Sequence, residues 1–181
     1  MAYTITSQVI APLPIANIDS GFTPPRGISD TSYTTTLPTP PLTLGMIVTA
    51  VDPTYGTGEF ILLAGVASTA VGSVVVYNTA TNLTTLAPVG ANKPQPIAIA
   101  MSANVAATTF GWYQISGNAV AKKTSGLALA SNAAIGILTA GLVAASATGK
   151  EVRGALTVAK ATTPKTVQLI LSRPHMEGRI T

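Results

Sequence analysis

The sequence predicts an all-β protein: a β-sandwich or β-barrel, jelly-roll-like, of about ten short strands with an extended N-terminal arm. From Leu44 onward, apolar and polar residues alternate with a period of two in short runs. Turn residues separate these runs at regular intervals, as in sandwiches and barrels. Prolines are concentrated before the first run. We therefore divide the chain into an arm (1–44), a β-rich domain (45–172) and a C-terminal tail (173–181).

The arm is rich in proline and threonine, with seven prolines in its 44 residues. Proline lacks a backbone N–H and holds its predecessor extended, which disfavours a helix or an internal strand. The arm is nevertheless too apolar for a solvated linker. We expect it to lie extended along a partner surface, or alternatively on its own domain. The proposed partner-binding residues are Ile5, Val9, Ile10, Leu13, Ile15, Ile18 and Phe22.

The first strands of the domain are bounded by turn residues. The alternating runs predict strands over 46–51, 59–66, 73–77 and 97–101, with a turn at Gly56–Gly58 and an end at Asn78. The segment 110–117 places three of the nine aromatic residues in one strand bounded by glycines. Trp112 and Tyr113 there are either a core anchor, with Trp112 inward and Tyr113 outward, or a subunit contact.

The segment 127–147 has 21 residues and no charge, which is long enough to cross a bilayer. Its alanines, glycines and hydroxyl side chains give it little drive to insert. We expect instead a short helical turn near 128–134, followed by a hairpin with Gly141 at its turn, which is either buried or part of a subunit contact.

The last part of the domain shows two further alternating runs. Val152, Leu156 and Val158 share one parity, which predicts that they lie on one face of a strand. The second run predicts another strand. Its apolar residues are expected on one face, and Gln168 and Ser172 on the opposite face; the apolar residues are Val167, Leu169 and Leu171.

The chain carries few charges, ten Lys or Arg and six Asp or Glu. A free monomer needs a well-charged surface, so we expect copies of the chain or a larger assembly to cover the weakly charged surface of this protein.

The two halves of the chain differ in charge: residues 1–92 have a net charge of −3 and residues 93–181 a net charge of +7. Because Lys122–Lys123 is the only adjacent basic pair, the dispersed positives do not predict nucleic-acid binding. Residues 2–20 lack the basic start of a signal peptide, so folding in a cytoplasm is expected.

The residue types needed for catalysis are scarce. His175 is the only histidine, it lies near the end of the chain, and there is no cysteine. Glu177 lies close to His175, but two ligands do not complete a zinc site. Asp52 and Glu59 flank a glycine-rich turn, where Asp52 is more typical of a turn and Glu59 of a strand start. We therefore predict no enzyme activity, no metal and no cofactor.

Three segments resemble virion proteins of tailed bacteriophages, in particular the capsid decoration (cement) group. They are 52–60 (DPTYGTGEF), 65–72 (GVASTAVG) and 100–117, which runs from AMSANV to GWYQISG. The resemblance covers roughly residues 45–172 and rests on glycines and strand segments. It implies a β-rich domain that forms a homo-oligomer, often a trimer, on the outside of a capsid.

The expected function is that of a structural protein of the virion. The expected partners are the major capsid protein and other copies of this chain, with no nucleic acid and no membrane. The expected location is the capsid exterior, after assembly in the host cytoplasm. Two alternatives remain open: a tail or head-fibre component, or a carbohydrate-binding module built around Trp112 and Tyr113.

Overall fold

The computed structural model describes residues 4–5, 43–162 and 165–177. Within these ranges the chain is all-β without a helix, and its eleven strands form one curled antiparallel sheet, a half-barrel. The strands are β1 (Thr4–Ile5), β2 (Ile47–Asp52), β3 (Gly56–Ala64), β4 (Val74–Tyr77), β5 (Thr84–Leu86), β6 (Ile97–Ala100), β7 (Phe110–Lys122), β8 (Ala134–Thr139), β9 (Leu142–Ala145), β10 (Glu151–Thr157) and β11 (Thr166–Met176).

The long strand β7 organises the sheet. The main order is β1-β2-β3-β7-β11-β10-β8-β9, while β6 pairs with β7 and β4 pairs with both β5 and β6. The first half of β7 pairs with β3 and its second half with β11. Two parts of the sheet therefore share one strand.

Gly117 lies where β7 changes partners. Its φ is 88°, and a Cβ there would lie 2.3 Å from the Thr57 carbonyl oxygen, so no side chain fits. The register of the β3–β7 ladder shifts beside it, between Glu59 and Phe60. The expectation that the strand ends at Gly117 is wrong, because a left-handed glycine is accommodated within a strand as an irregularity.

The core comprises apolar clusters on both faces of the sheet. On one face Phe60 and Leu62 pack with Trp112, and on the other Ile61 and Leu63 pack with Tyr113. Because both faces of this part are covered, β3 reads as a continuous apolar run. A third and larger cluster joins strands β4, β6, β7, β8, β9, β10 and β11 and includes Val74, Ile97, Ile99, Ala119, Ile135, Ile137, Val143, Val152, Val167, Leu169 and Leu171.

Two glycines of the segments quoted for the resemblance are packing positions. A Cβ on Gly65 would lie 2.4 Å from the Asn104 carbonyl oxygen, and one on Gly111 would lie 2.1 Å from Asn104 Nδ2. Asn104 itself is buried, and its Nδ2 donates a hydrogen bond to Ser102 Oγ at 3.0 Å. The absent side chains therefore let this loop pack onto β3 and β7.

Several local predictions are confirmed. Val167, Leu169 and Leu171 are all buried on one face of β11. β8 and β9 form the expected hairpin, with Gly141 at its turn in a left-handed conformation. Asp52 Oδ1 accepts hydrogen bonds from the backbone N–H groups of Thr54 and Tyr55 at 2.7 and 2.9 Å, the arrangement of a side-chain-mediated turn.

Other local predictions are wrong. The region 128–133 contains a turn and a β-bridge from Leu129 to Ala161, not a helical turn, because its backbone groups pair with the β10–β11 connection. Gly56–Gly58 belongs to β3, and the turn lies at 53–55, because the hydrogen bonds to Asp52 close it there. The boundary expected at residue 172 falls inside β11, which runs on to Met176.

The predicted common face of Val152 and Leu156 is also wrong. Val152 is buried, whereas Leu156 lies on the outer face and is 47% exposed. The β10–β11 register shifts between Arg153 and Ala155, around Gly154 with a φ of 73°. Here Gly154 of β10 stands opposite three residues of β11, 172–174, and the inward–outward alternation of β10 changes parity beyond this irregularity.

Candidate interaction surface

Trp112 and Tyr113 are both core residues. Trp112 is 1% exposed and Tyr113 is 0% exposed, in two different apolar clusters. The expectation that Tyr113 points outward is wrong, because β6 and its neighbours cover that face of β7 as well. Neither ring presents a face to solvent, so a sugar could not stack on them without opening the core.

The polar atoms of these two side chains have few partners. Asn104 Nδ2 lies 3.5 Å from the Tyr113 hydroxyl, and the Trp112 Nε1–H has no hydrogen-bond partner among the described residues. Burial raises the pKa of the Tyr113 hydroxyl, while its hydrogen bonds to Asn104 and Thr84 partly oppose that rise. The hydroxyl therefore stays protonated in a closed environment.

The remaining candidates for chemistry are tied into turns and ion pairs. Glu59 pairs with Arg173 at 3.2 Å, and Glu177 pairs with Arg153 at 2.9 Å. His175 is exposed on β11, opposite Arg153 in the ladder. In the ranges that the structure describes, no group of three His, Cys, Asp or Glu residues is placed to hold a metal ion.

The predicted arm contributes one short strand to the described structure. The backbone of Ile5 pairs with Ala50, and Thr4 pairs with Val51, so β1 lies along the outer edge of β2. The other six proposed contact residues, Val9, Ile10, Leu13, Ile15, Ile18 and Phe22, lie outside the described residues. An unpaired strand edge readily accepts an added strand, and β2 is the edge used here.

The outer face of β7, β10 and β11 is an exposed surface with little charge. Leu156 and Ile170 are opposite each other in the β10–β11 ladder and are 47% and 51% exposed. Ile170 is also opposite Asn118 of β7, and Leu156 is paired with Ala134 of β8. Around them the face carries mainly uncharged residues, namely Ser116, Val120, Val158, Thr166, Gln168 and Ser172, and Lys122 lies at its end, opposite Thr166. We call this surface the Leu156–Ile170 face.

A groove of about 310 Å³ adjoins Leu156 and Ile170. Its lining also includes Ala134 and Ser172 and the charged residues Arg153 and Glu151. Arg153 bridges Glu151 at 3.3 Å and Glu177 at 2.9 Å, so the charges at this margin compensate one another. The face therefore combines two exposed apolar side chains with neighbouring charges that are paired with one another, and protein–protein interfaces likewise combine apolar and polar groups.

Sequence reasoning missed this face because the parity pattern placed Leu156 inside. The available signal was Gly154, an isolated glycine within a strand pattern, which favours a bulge. With the bulge included, the same residues predict an outward Leu156 next to an outward Ile170.

Across the described residues, no helix is long and apolar enough to cross a membrane. No protein-family model matches the chain, and no curated protein matches it either.

Proposed function

We propose that this chain is a non-enzymatic structural protein of a phage virion. In this proposal it binds the outer surface of the capsid as a homo-oligomer and stabilises the shell by bridging major capsid proteins. The observation that carries the proposal is the Leu156–Ile170 face, where two large apolar side chains are adjacent on the outside of an all-β domain. Apolar surface of this kind favours contact with another protein.

A second copy of this chain is the occupant that we propose for the face. The centre of the face is uncharged, and Arg153 pairs with Glu151 and Glu177 at its margin. Two copies of a basic protein repel each other where unpaired positive charges meet. No positively charged residue lies at the centre of this face. An uncharged surface can also contact another copy of the same chain without needing a patch of opposite charge on it, whether the interface is isologous or part of a ring.

The arm supplies a second type of contact in the proposal. β1 adds to the edge of β2, and the 37 residues from 6 to 42 separate it from the next described residue. A connection of that length can reach a neighbouring subunit. We infer that the apolar arm residues contact sister subunits or the shell, and that many copies together give strong binding through high effective concentration.

The experiment that tests the function is co-sedimentation of the purified full chain with expanded, undecorated phage capsids. Saturable binding at a fixed ratio of chain to capsid protein is the expected result, and removal of residues 1–40 should abolish it. An oligomer that does not bind capsids would instead favour the tail or head-fibre component. An arm-less domain that still saturates capsids would contradict the proposed role of the arm.

A further inference from the structure

Four lysines that are dispersed in the sequence come together in the fold. They are Lys122, Lys123, Lys160 and Lys165, and they lie where β7 ends and β11 begins. We call this region the lysine end.

Backbone hydrogen bonds fix the arrangement. Lys122 is opposite Thr166 in the β7–β11 ladder, and the Lys123 N–H donates to the Lys165 carbonyl oxygen at 2.8 Å. Lys160 lies in the connection between β10 and β11. The next residue, Ala161, exchanges two backbone hydrogen bonds with Leu129, at 3.0 and 2.9 Å. These bonds place the backbone of Lys122, Lys123 and Lys165 side by side, and Lys160 lies in the connection that leads into β11.

No carboxylate of the described chain compensates these charges. The ion pairs Arg153–Glu151, Arg153–Glu177 and Arg173–Glu59 involve none of these lysines. Lys160 and Lys165 are exposed, whereas Lys123 is 2% exposed, and its Nζ donates to the Leu127 carbonyl oxygen. The Lys123 side chain is therefore buried and bound to the backbone, and Lys160 and Lys165 are the exposed members of the lysine end.

An exposed apolar side chain adjoins the lysine end. The Lys122 N–H donates to the Gly72 carbonyl oxygen at 2.7 Å, and the neighbouring Val71 is 54% exposed. A polyphosphate backbone offers a valine no apolar partner, whereas a protein surface offers both apolar and acidic groups. The combination favours a protein partner.

We propose that the lysine end binds a carboxylate-rich surface of a partner protein. The identification of that surface with the capsid shell rests on the function proposed above. The preference for an acidic protein rests on the lysines and Val71 alone. Because the charges are exposed, binding should weaken as the salt concentration rises above about 0.1 M, where charges more than about 10 Å apart are screened.

The test compares two charge-reversed variants of the full chain. The first variant reverses two charges of the lysine end, by Lys160→Glu together with Lys165→Glu. The second variant, Lys93→Glu together with Lys150→Glu, is the control and makes the same change in net charge elsewhere. It lies at the opposite end of β10, where the Asn92 N–H donates to the Gly149 carbonyl oxygen. Binding to poly-L-glutamate, to a single-stranded DNA oligonucleotide and to expanded, undecorated capsids is measured for each.

The expected result is that the lysine-end variant binds poly-L-glutamate about tenfold more weakly than the wild type, and the Lys93/Lys150 variant does not. The lysine-end variant should also bind capsids more weakly than the Lys93/Lys150 variant does. Equal losses in both variants would overturn the proposal, because net charge alone would then explain the binding. Tighter binding to DNA than to poly-L-glutamate would overturn it in favour of nucleic acid. If the wild type ignores capsids, the proposed function fails, and the poly-L-glutamate comparison still decides the proposal about the lysine end.

Discussion

Leu156 lies directly opposite Ile170 across the β10–β11 ladder, and both side chains point away from the core. Their neighbours Ala155 and Leu171, also opposite each other, are buried. The bulge at Gly154 creates this arrangement, because it changes which residues of β10 face outward. A large aliphatic pair on an exposed sheet face loses contact with water only when another surface covers it.

The first prediction concerns self-association. Replacing Leu156 and Ile170 together by threonine puts β-branched side chains, which suit a strand, at both positions and removes apolar surface from the face. We expect the free energy of unfolding of the isolated subunit to change by less than about 1 kcal/mol, because both positions are exposed. The oligomer should dissociate to a lower mass, measured by light scattering.

The matched control for this variant replaces Leu83 and Val105 by threonine. These two residues are 51% and 55% exposed and lie away from the Leu156–Ile170 face. The control should keep the mass of the wild type. Equal masses for the two variants would show that the face is not the contact.

The second prediction concerns the bulge itself. Gly154 and Gly126 both have a φ of 73°, but a Cβ on Gly154 would lie 2.6 Å from the Ser172 carbonyl oxygen, whereas Gly126 has no atom within 4 Å. Gly126→Ala should cost about 1 kcal/mol through left-handed strain. Gly154→Ala should cost about 3 kcal/mol, because the clash with backbone adds to that strain. Denaturant unfolding measures both, and equal costs would contradict the close packing at Gly154.

The third prediction uses the single tryptophan. Because Trp112 is 1% exposed among Phe60, Leu62 and Met101, its fluorescence should be that of an indole shielded from water. Adding oligosaccharides should leave the emission unchanged, while unfolding should shift it to longer wavelength. Saturable quenching by a glycan would favour the carbohydrate-binding alternative.

The fourth prediction concerns alkaline pH. The free Tyr side chain has a pKa of about 10, and burial raises the pKa of Tyr113 in the folded protein. Above pH of about 10 the unfolded chain therefore releases a proton that the folded protein keeps, so stability falls as the pH rises. Tyr113→Phe should lose less stability than the wild type between about pH 9 and 11. An identical decline in both proteins would contradict the raised pKa.

The fold class could be predicted from the sequence, because period-two runs and turn residues act locally. The strand β11 and the hairpin of β8 and β9 follow from such patterns. The irregular positions within the strands, at Gly117 and Gly154, could not be located in the same way. Gly117 and Gly154 resemble strand breakers in the sequence, but pairing with neighbouring strands carries the chain through both. Their effect depends on close approaches to Thr57 and Ser172, which are distant in sequence.

The surfaces were less predictable than the strands. The parity pattern placed Leu156 inside because it did not include the irregularity at Gly154, which changes the face of the sheet on which each later residue lies. The lysine end was dispersed in the sequence, and only the β7–β11 pairing brings Lys123 beside Lys165. Trp112 and Tyr113 were recognisable as a strand anchor, but burial on both faces depends on β2, β3 and β6.

The most direct test of the central claim, that copies of this chain cover its apolar surface, is the mass of the full chain in solution by light scattering over a range of concentrations. The chain mass is 18.3 kDa, and we predict a stable whole-number multiple of it, with three copies as the expected number. A mass of 18.3 kDa at every concentration would contradict the account, because the Leu156–Ile170 face would then remain open to water.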